Sequence, residues 1–105
     1  MTHMKWDINR GIVIAQLIES IVVKLGYHVA LTGSVLIKGE SDKDLDVMIY
    51  PHKTTSCSPR EEVMEKMSQS GFGEFIHAKH TTYGDDKVVF ITDFAGQRVD
   101  VFFVQ

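Results

Sequence analysis

The sequence predicts one α/β domain of the α+β type, in which helices pack against a mixed β-sheet. Two observations predict this class: apolar residues at helical spacing near the start of the chain, and short apolar runs bounded by turn residues in its second half. Because helical and strand patterns are interspersed, we expect the helices to cover the sheet as a separate layer. The chain has 105 residues, the size of one compact domain, and we assign residues 1–105 to it.

The first predicted helix spans residues 7–25. Its apolar side chains recur at intervals of three and four residues and form a stripe along one face. The stripe consists of Ile8, Ile12, Ala15, Ile18, Val22 and Leu25. Gly26 follows as a suitable C-cap, because glycine adopts the left-handed conformation without a steric cost.

Two strands and a second helix come next. Residues 28–32 and 43–50 are the predicted strands, and Pro51 ends the second of them. Ser58-Pro59-Arg60-Glu61 has the pattern of a capping box with proline in the first helical position. This pattern predicts a helix over residues 59–69, which Ser70-Gly71 closes.

The last part of the chain is predicted to form three strands, over residues 73–78, 87–92 and 97–104, with turns at residues 83–86 and 94–96. The larger aromatic residues are predicted to pack in the core rather than to form a platform for stacked bases. These residues are Trp6, Phe72, Phe75, Phe90, Phe94 and Phe102.

Composition and charge argue against several classes of protein. No apolar stretch approaches the roughly 20 residues that a membrane helix needs, so we expect no membrane span. The formal net charge is −3, which argues against a nucleic-acid partner because binding to the phosphate backbone requires clustered basic residues. Residues 1–10 lack a secretory signal and Cys57 is the single cysteine, so we predict a cytoplasmic protein.

Two aspartates interrupt a predicted apolar strand. Asp44 and Asp46 are two residues apart, so their side chains share one face of the strand, while Leu45 and Val47 lie on the other. The Cα atoms of the two aspartates are then about 6.6 Å apart. Carboxylates at this separation repel each other, and a divalent cation between them turns the repulsion into attraction.

Asp100 repeats this pattern between two valines of the last predicted strand. If that strand lies next to the first pair of aspartates, three carboxylates converge on one or two Mg²⁺ ions. Two such ions can clamp the attacking and leaving oxygens of a phosphoryl transfer. Asp42 and Asp44 are also two residues apart, but Lys43 separates them where an apolar residue is expected, so we assign Asp42 to a loop.

Gly33-Ser34 lies where a predicted strand gives way to a short helical turn. Glycine at such a place lets the backbone approach a ligand closely, and free amide groups together with the Ser34 hydroxyl can face an anion. The pair therefore predicts a phosphate site.

Gly33-Ser34, then Asp44-Leu45-Asp46-Val47 after a gap of nine residues, and Asp100 on a late strand together resemble the signature of the nucleotidyltransferase superfamily. That superfamily includes DNA polymerase beta, poly(A) polymerases and the minimal nucleotidyltransferases, and the last are the most similar in length. The resemblance covers residues 31–104. It implies a nucleotidyltransferase fold in which Gly33 and Ser34 hold the triphosphate of ATP or another nucleoside triphosphate. It also implies that Asp44 and Asp46 bind both metal ions, Mg²⁺ or Mn²⁺, while Asp100 binds the catalytic ion and activates the acceptor hydroxyl.

The function implied by the resemblance is transfer of a nucleoside monophosphate, AMP from ATP, to a hydroxyl acceptor. Minimal nucleotidyltransferases resemble the antitoxin partners of HEPN-domain toxins, some of which transfer AMP to a tyrosine of the toxin, so a HEPN-type protein is the implied partner and acceptor. Larger relatives carry a helical domain that grips the base, whereas here we expect base selection to come from few residues, a second copy or a partner. Two alternatives stay open: a non-catalytic module that binds a partner protein, and a nucleotide site completed across a homodimer.

The histidines and the cysteine are given their ordinary structural interpretation. His77 and His80, taken with Cys57 or His52, lack the second ligand pair that a structural zinc site needs. Cys57 has no fixed base beside it in the sequence, so we expect a loop thiol rather than a nucleophile.

Overall fold

The computed structural model describes residues 5–52, 56–78 and 87–104. Along these residues the elements are β1 (Trp6–Asp7), α1 (Ile8–Val22), β2 (Tyr27–Thr32), α2 (Gly33–Lys38), β3 (Glu40–Ser41), β4 (Leu45–Pro51), α3 (Arg60–Gln69), β5 (Ile76–His77), β6 (Lys87–Phe94) and β7 (Gln97–Val104). The predicted α+β class is confirmed, since helices pack on a sheet that contains both parallel and antiparallel pairs.

The main sheet has five strands within the described residues, in the order β2-β4-β7-β6-β5. Strands β4 and β7 are parallel, and the other neighbouring pairs are antiparallel. β1 and β3 form a separate two-stranded ribbon that sequence reasoning missed. The predicted strands over residues 43–50 and 97–104 are therefore neighbours, as the hypothesis of converging carboxylates requires.

The core lies between one face of this sheet and the helices. Leu45, Val47 and Ile49 of β4 are fully buried, whereas the side chains that alternate with them are half-buried or exposed. The buried cluster also includes Ile14, Ile18 and Val22 of α1, Val63 and Met67 of α3, and Val99, Val101 and Phe103 of β7. Because successive strand residues point to opposite faces, Asp46 and Asp100 lie on the face away from this cluster.

Helix α1 begins and ends close to the predicted positions. The Asp7 side chain caps it by accepting a hydrogen bond from the Arg10 amide at 2.8 Å. The last three predicted helical residues, Val23–Leu25, tighten into a turn of 3-10 helix, and Gly26 ends it in the left-handed conformation with φ of 94°. None of the helices in the described part of the chain is long and apolar enough to cross a membrane.

The predicted capping box at the start of α3 is wrong. Pro59 is extended and precedes the helix, and no side chain bonds the first amides of α3. Pro59 is itself the N-cap, so α3 starts one residue later than the box requires. The backbone of Ser58 is bonded elsewhere: its amide donates to the Leu25 carbonyl at 2.9 Å, and its carbonyl accepts from the Tyr27 hydroxyl at 2.6 Å. Ser58 thus ties this loop to the residues that link α1 and β2.

Two strands in the second half of the chain also differ from the prediction in their boundaries. Phe94 was assigned to a turn but belongs to β6, because the turn to β7 needs only Ala95 and Gly96. Both turn residues have positive φ, 52° and 80°, and such two-residue turns match the twist of the paired strands. The predicted strand over residues 73–78 shortens to Ile76–His77. The predicted turn over residues 83–86 lies outside the described residues.

Trp6 joins the N-terminal ribbon to strand β7. Its side chain is 1% exposed, and the indole Nε1 donates a hydrogen bond to the Arg98 carbonyl oxygen at 2.8 Å. The Arg10 guanidinium lies over the indole ring, 4.8 Å from its centre. The burial of Trp6 and Phe72, at 1% and 4% exposure, confirms that these two aromatic residues are core residues.

Replacing Trp6 with Phe tests the link to β7. The change leaves the Arg98 carbonyl without its donor and shrinks a buried side chain, so we expect the free energy of unfolding to fall by about 1–3 kcal/mol. Urea denaturation followed by circular dichroism measures it. Tyr50→Phe is the control, because Tyr50 is exposed and its variant should change stability by less than about 0.5 kcal/mol. A Trp6→Phe protein as stable as the control would show that the hydrogen bond contributes nothing.

Candidate functional site

The structure brings together all three aspartates singled out from the sequence. Asp46 of β4 lies opposite Asp100 of β7 in the parallel pair, so both side chains are on the same face. Asp44 directly precedes β4. One carboxylate oxygen from each of the three lies within 4.8 Å of the others. The site is therefore formed by the start of β4 and the middle of its neighbour β7.

Asp44 was predicted to lie inside the strand, and this is wrong. It belongs to the turn between β3 and β4, where the Ser41 hydroxyl accepts hydrogen bonds from the amides of Lys43 and Asp44, each at 3.2 Å. Serine hydroxyls commonly stabilise turns in this way, which delays the start of the strand by two residues. Asp42, assigned to a loop, is exposed and lies 3.5 Å from the Lys5 ammonium, so the choice of Asp44 and Asp46 agrees with the structure.

Burial and mutual repulsion perturb the ionisation of the cluster. The pKa of Asp46 is raised to about 6, mainly by burial and then by the charges of Asp44 and Asp100. Burial, followed by the charge of Asp100, also raises the pKa of Asp44. The Arg98 guanidinium opposes both shifts. Burial and the neighbouring carboxylates thus make the ionised form of the cluster costly, and Arg98 offsets only part of that cost.

Arg98 is a site residue that sequence reasoning missed. Its Nε donates to Asp100 Oδ1 at 2.8 Å and its Nη2 donates to Asp100 Oδ2 at 3.1 Å, a two-armed contact. The same Nε lies 3.8 Å from Asp44 Oδ2. The signal was present in the sequence, because Arg98 and Asp100 are two residues apart on one predicted strand and so must share a face.

Gly33 and Ser34 lie against Asp46. Gly33 has φ of 70° and starts α2, and a Cβ added there would be 2.7 Å from Asp46 Cγ, so a side chain does not fit. The Ser34 amide lowers the pKa of the Asp46 carboxyl group, against the larger effect of burial. The expectation that this amide and the Ser34 hydroxyl face an anion stays a prediction.

The donor set of the cluster suits a hard divalent cation. Carboxylate oxygens are the ligands that Mg²⁺ and Mn²⁺ prefer, and three of them from half-buried or buried residues lie close enough to share one ion. Asp44, Asp46 and Asp100 are thus the residues that could hold a metal. No other such group of carboxylate, histidine and cysteine ligands occurs among the described residues. His80 lies outside them, and the Cys57 thiol donates a hydrogen bond to the Gly26 carbonyl at 3.1 Å.

Comparison of the chain with protein-family models and with curated proteins finds no match. The resemblance to nucleotidyltransferases therefore depends on the glycine-serine pair and the three aspartates, and it stays a prediction. What supports a function is the geometry of these residues.

Asp46 gives the metal-free protein a specific dependence on pH. Its pKa in the folded state is about 6 against 3.8 for the ordinary group, so folding favours the protonated form. Protonation of Asp46 therefore stabilises the folded protein. This stabilisation is complete below about pH 4 and is lost as the pH rises through about 6, which lowers the free energy of unfolding by about 1–2 kcal/mol for a half-buried group. Urea denaturation in a chelator, at intervals of pH across this range, measures the loss.

The Asp46→Asn variant should lose most of this pH dependence and be more stable than the wild type at neutral pH, because a neutral amide has no ionisation to oppose. Glu65→Gln is the matched control, since Glu65 is an exposed carboxylate on α3 and its variant should keep the wild-type pH profile. If Asp46→Asn retains the full dependence, the shift does not belong to Asp46.

Gly33→Ala should destabilise the fold more than Gly39→Ala. Both glycines have positive φ, 70° and 82°, but a Cβ at Gly39 meets nothing within 4 Å. Gly39→Ala therefore carries the backbone strain alone, about 1 kcal/mol, whereas Gly33→Ala must also push Asp46 aside and should cost about 2–4 kcal/mol. Thermal or urea unfolding of both variants measures the difference. Equal losses would show that the contact with Asp46 imposes no constraint.

Proposed function

We propose that this chain is a metal-dependent nucleotidyltransferase that transfers AMP from ATP to a hydroxyl group. The observation that carries the proposal is the convergence of Asp44, Asp46 and Asp100, whose carboxylate oxygens lie within 4.8 Å of one another. Half-buried carboxylates this close require positive charge, and divalent cations that also bind phosphate oxygens supply it. Phosphoryl transfer is the chemistry that such ions serve best, because the reaction consists largely of placing charged oxygens in line.

Each aspartate has a role in this proposal. Asp44, Asp46 and Asp100 would hold Mg²⁺ or Mn²⁺, and such ions, when bound, neutralise the charge that develops on the phosphate oxygens. Asp100 also accepts the proton of the acceptor hydroxyl on a carboxylate oxygen. The hydroxyl oxygen then forms a bond to the α-phosphorus, the bond from that phosphorus to the bridging oxygen breaks, and pyrophosphate leaves with the electron pair.

Gly33 and Ser34 are proposed to hold the triphosphate. Gly33 brings the backbone so close to Asp46 that a Cβ there would be 2.7 Å from Asp46 Cγ, so a phosphate held by the amide and hydroxyl of Ser34 would lie beside the aspartate cluster. The Ser34 amide also favours the ionised form of Asp46, since it lowers the pKa of that carboxyl group.

The acceptor is proposed to be a protein hydroxyl. A net charge of −3 does not attract a polyanionic nucleic acid, because phosphate contacts are made by clustered basic residues. A HEPN-type partner protein, as the resemblance implies, is the proposed acceptor in the cytoplasm, and base selection falls to few residues, to that partner or to a second copy of the chain.

A second candidate function is a non-catalytic module that binds a partner protein. One observation favours it: both oxygens of Asp100 accept hydrogen bonds from Arg98, so part of the cluster already has a counter-charge. In this case the aspartates and Arg98 are a structural ion-pair network, and neither a metal ion nor a nucleotide binds there.

Transfer of label tests the first candidate. The protein is incubated with Mg²⁺, ATP radiolabelled on the α-phosphate and a panel of hydroxyl-bearing proteins, and we expect labelled product that disappears with a chelator. Asp46→Asn and Asp100→Asn should each reduce the rate by about a hundredfold or more, since each removes a charge that holds the cations. Asp42→Asn is the matched control and should keep the wild-type rate. Label transfer unaffected by Asp46→Asn would contradict the proposed role.

Calorimetry separates the two candidates without an acceptor. The nucleotidyltransferase proposal expects ATP to bind in the presence of Mg²⁺ and expects Asp44→Asn to abolish the binding heat. A wild-type protein that binds neither Mg²⁺ nor the nucleotide would favour the partner-binding module.

A further inference from the structure

Arg98 lies where a cation for the aspartate cluster is needed. Its guanidinium bonds both oxygens of Asp100, at 2.8 and 3.1 Å, and lies 3.8 Å from Asp44. The Arg98 side chain therefore contacts two of the three carboxylates, and it lies on β7, the strand that also carries Asp100. The third carboxylate, that of Asp46, also senses the positive charge of Arg98.

The position of Arg98 conflicts with ligation of a metal by Asp100. Both Asp100 oxygens accept hydrogen bonds from the guanidinium, so each oxygen has one lone pair left for a metal ion. A guanidinium that stayed there would, however, lie beside a divalent ion of the same sign, a repulsion that a half-buried setting screens less than water does. The two cations thus compete for the same carboxylate.

The surroundings allow the guanidinium to leave while the strand stays in place. The Arg98 side chain is 49% exposed, against 12% for the Asp100 side chain, so Arg98 covers the acid from the solvent side. The Arg98 carbonyl is fixed by the Trp6 indole at 2.8 Å. Rotation of the side chain into solvent therefore frees Asp100 without moving β7.

We propose that Arg98 is an internal counter-cation that neutralises the aspartate cluster in the absence of metal and that a divalent ion must displace. This inference rests on the proposed metal site and adds a regulatory element to it. Metal affinity is then set by a competition, and the wild-type site binds a divalent ion more weakly than its three carboxylates alone would do.

Titration of Mn²⁺ without nucleotide tests the competition. Wild type, Arg98→Gln, Arg98→Lys and the control Lys66→Gln are compared by calorimetry and by electron paramagnetic resonance of the free ion, at about pH 8, where the carboxyl groups are ionised. Lys66 is exposed on α3, so its variant removes the same charge from the opposite layer of the fold. Thermal unfolding of each variant in a chelator confirms that it is folded.

We expect Arg98→Gln to bind Mn²⁺ at least about tenfold more tightly than wild type. An opposite charge at this distance shifts the pKa of a carboxyl group by about 1–3 units, and it opposes the binding of a metal ion in the same way as the binding of a proton. Arg98→Lys should lie between the two, because lysine keeps the charge but loses the two-armed contact. Lys66→Gln should match wild type. In the chelator, Arg98→Gln should unfold at a lower temperature than wild type, and saturating Mn²⁺ should stabilise it more.

Unchanged or weaker Mn²⁺ binding by Arg98→Gln and Arg98→Lys would overturn the inference, because Arg98 would then support Asp100 as a ligand rather than compete for it. The proposed function would survive that result, since wild type would still bind the ion. Failure of wild type and both Arg98 variants to bind Mn²⁺ would instead overturn the metal site itself, and this inference with it.

Discussion

Repulsion among three carboxylates that are partly shielded from water is the constraint on which the site depends. Burial makes each charge costly, and the neighbouring charges add to the cost, so that the pKa of Asp46 rises to about 6. Protonation of Asp46 relieves this below about pH 6; at higher pH positive charge does so, either from the guanidinium of Arg98 or from an ion bound from solution. A surface ion pair would contribute little to stability, but here the pairing decides which charged species the cluster accepts. The chemistry proposed for the chain is a consequence of this unmet demand for cations.

The fold keeps these groups together although they repel each other. The parallel pairing of β4 with β7 fixes Asp46 beside Asp100 through backbone hydrogen bonds, which do not depend on the side chains. The hydrophobic residues that alternate with the acids, Leu45, Val47, Val99 and Val101, are all fully buried and hold both strands against the helices. Ser41 then fixes the turn that presents Asp44. Burial of one face of the sheet thus offsets the electrostatic cost carried by the other face.

The alternation of side chains along a strand made much of this site predictable. Asp46 and Asp100 interrupt apolar runs, and the two-residue period places each opposite its buried neighbours. Asp44 was misplaced because the Ser41 hydroxyl accepts hydrogen bonds from backbone amides and so keeps the chain in a turn before the strand begins.

The ribbon of β1 and β3 was missed because two-residue strands have no period to detect and depend on pairing between residues 6–7 and 40–41. Arg98 was missed because an arginine on a strand usually faces solvent, although the two-residue period places it on the same face as Asp100. The short loop over residues 73–75 was taken for strand because propensity does not reveal that Thr92 bonds the Gly73 carbonyl through its side chain.

The attachment of Trp6 to Arg98 gives the molecule an intrinsic optical probe. Trp6 is the single tryptophan of the chain. Its indole N–H donates a hydrogen bond to the carbonyl of Arg98, whose guanidinium contacts Asp100. Indole fluorescence is sensitive to hydrogen bonding and to nearby charge, and excitation at the red edge of the indole absorption band avoids the three tyrosines. Changes in the ionic state of the acidic face can therefore be followed on the unmodified protein, in real time and without a reporter group.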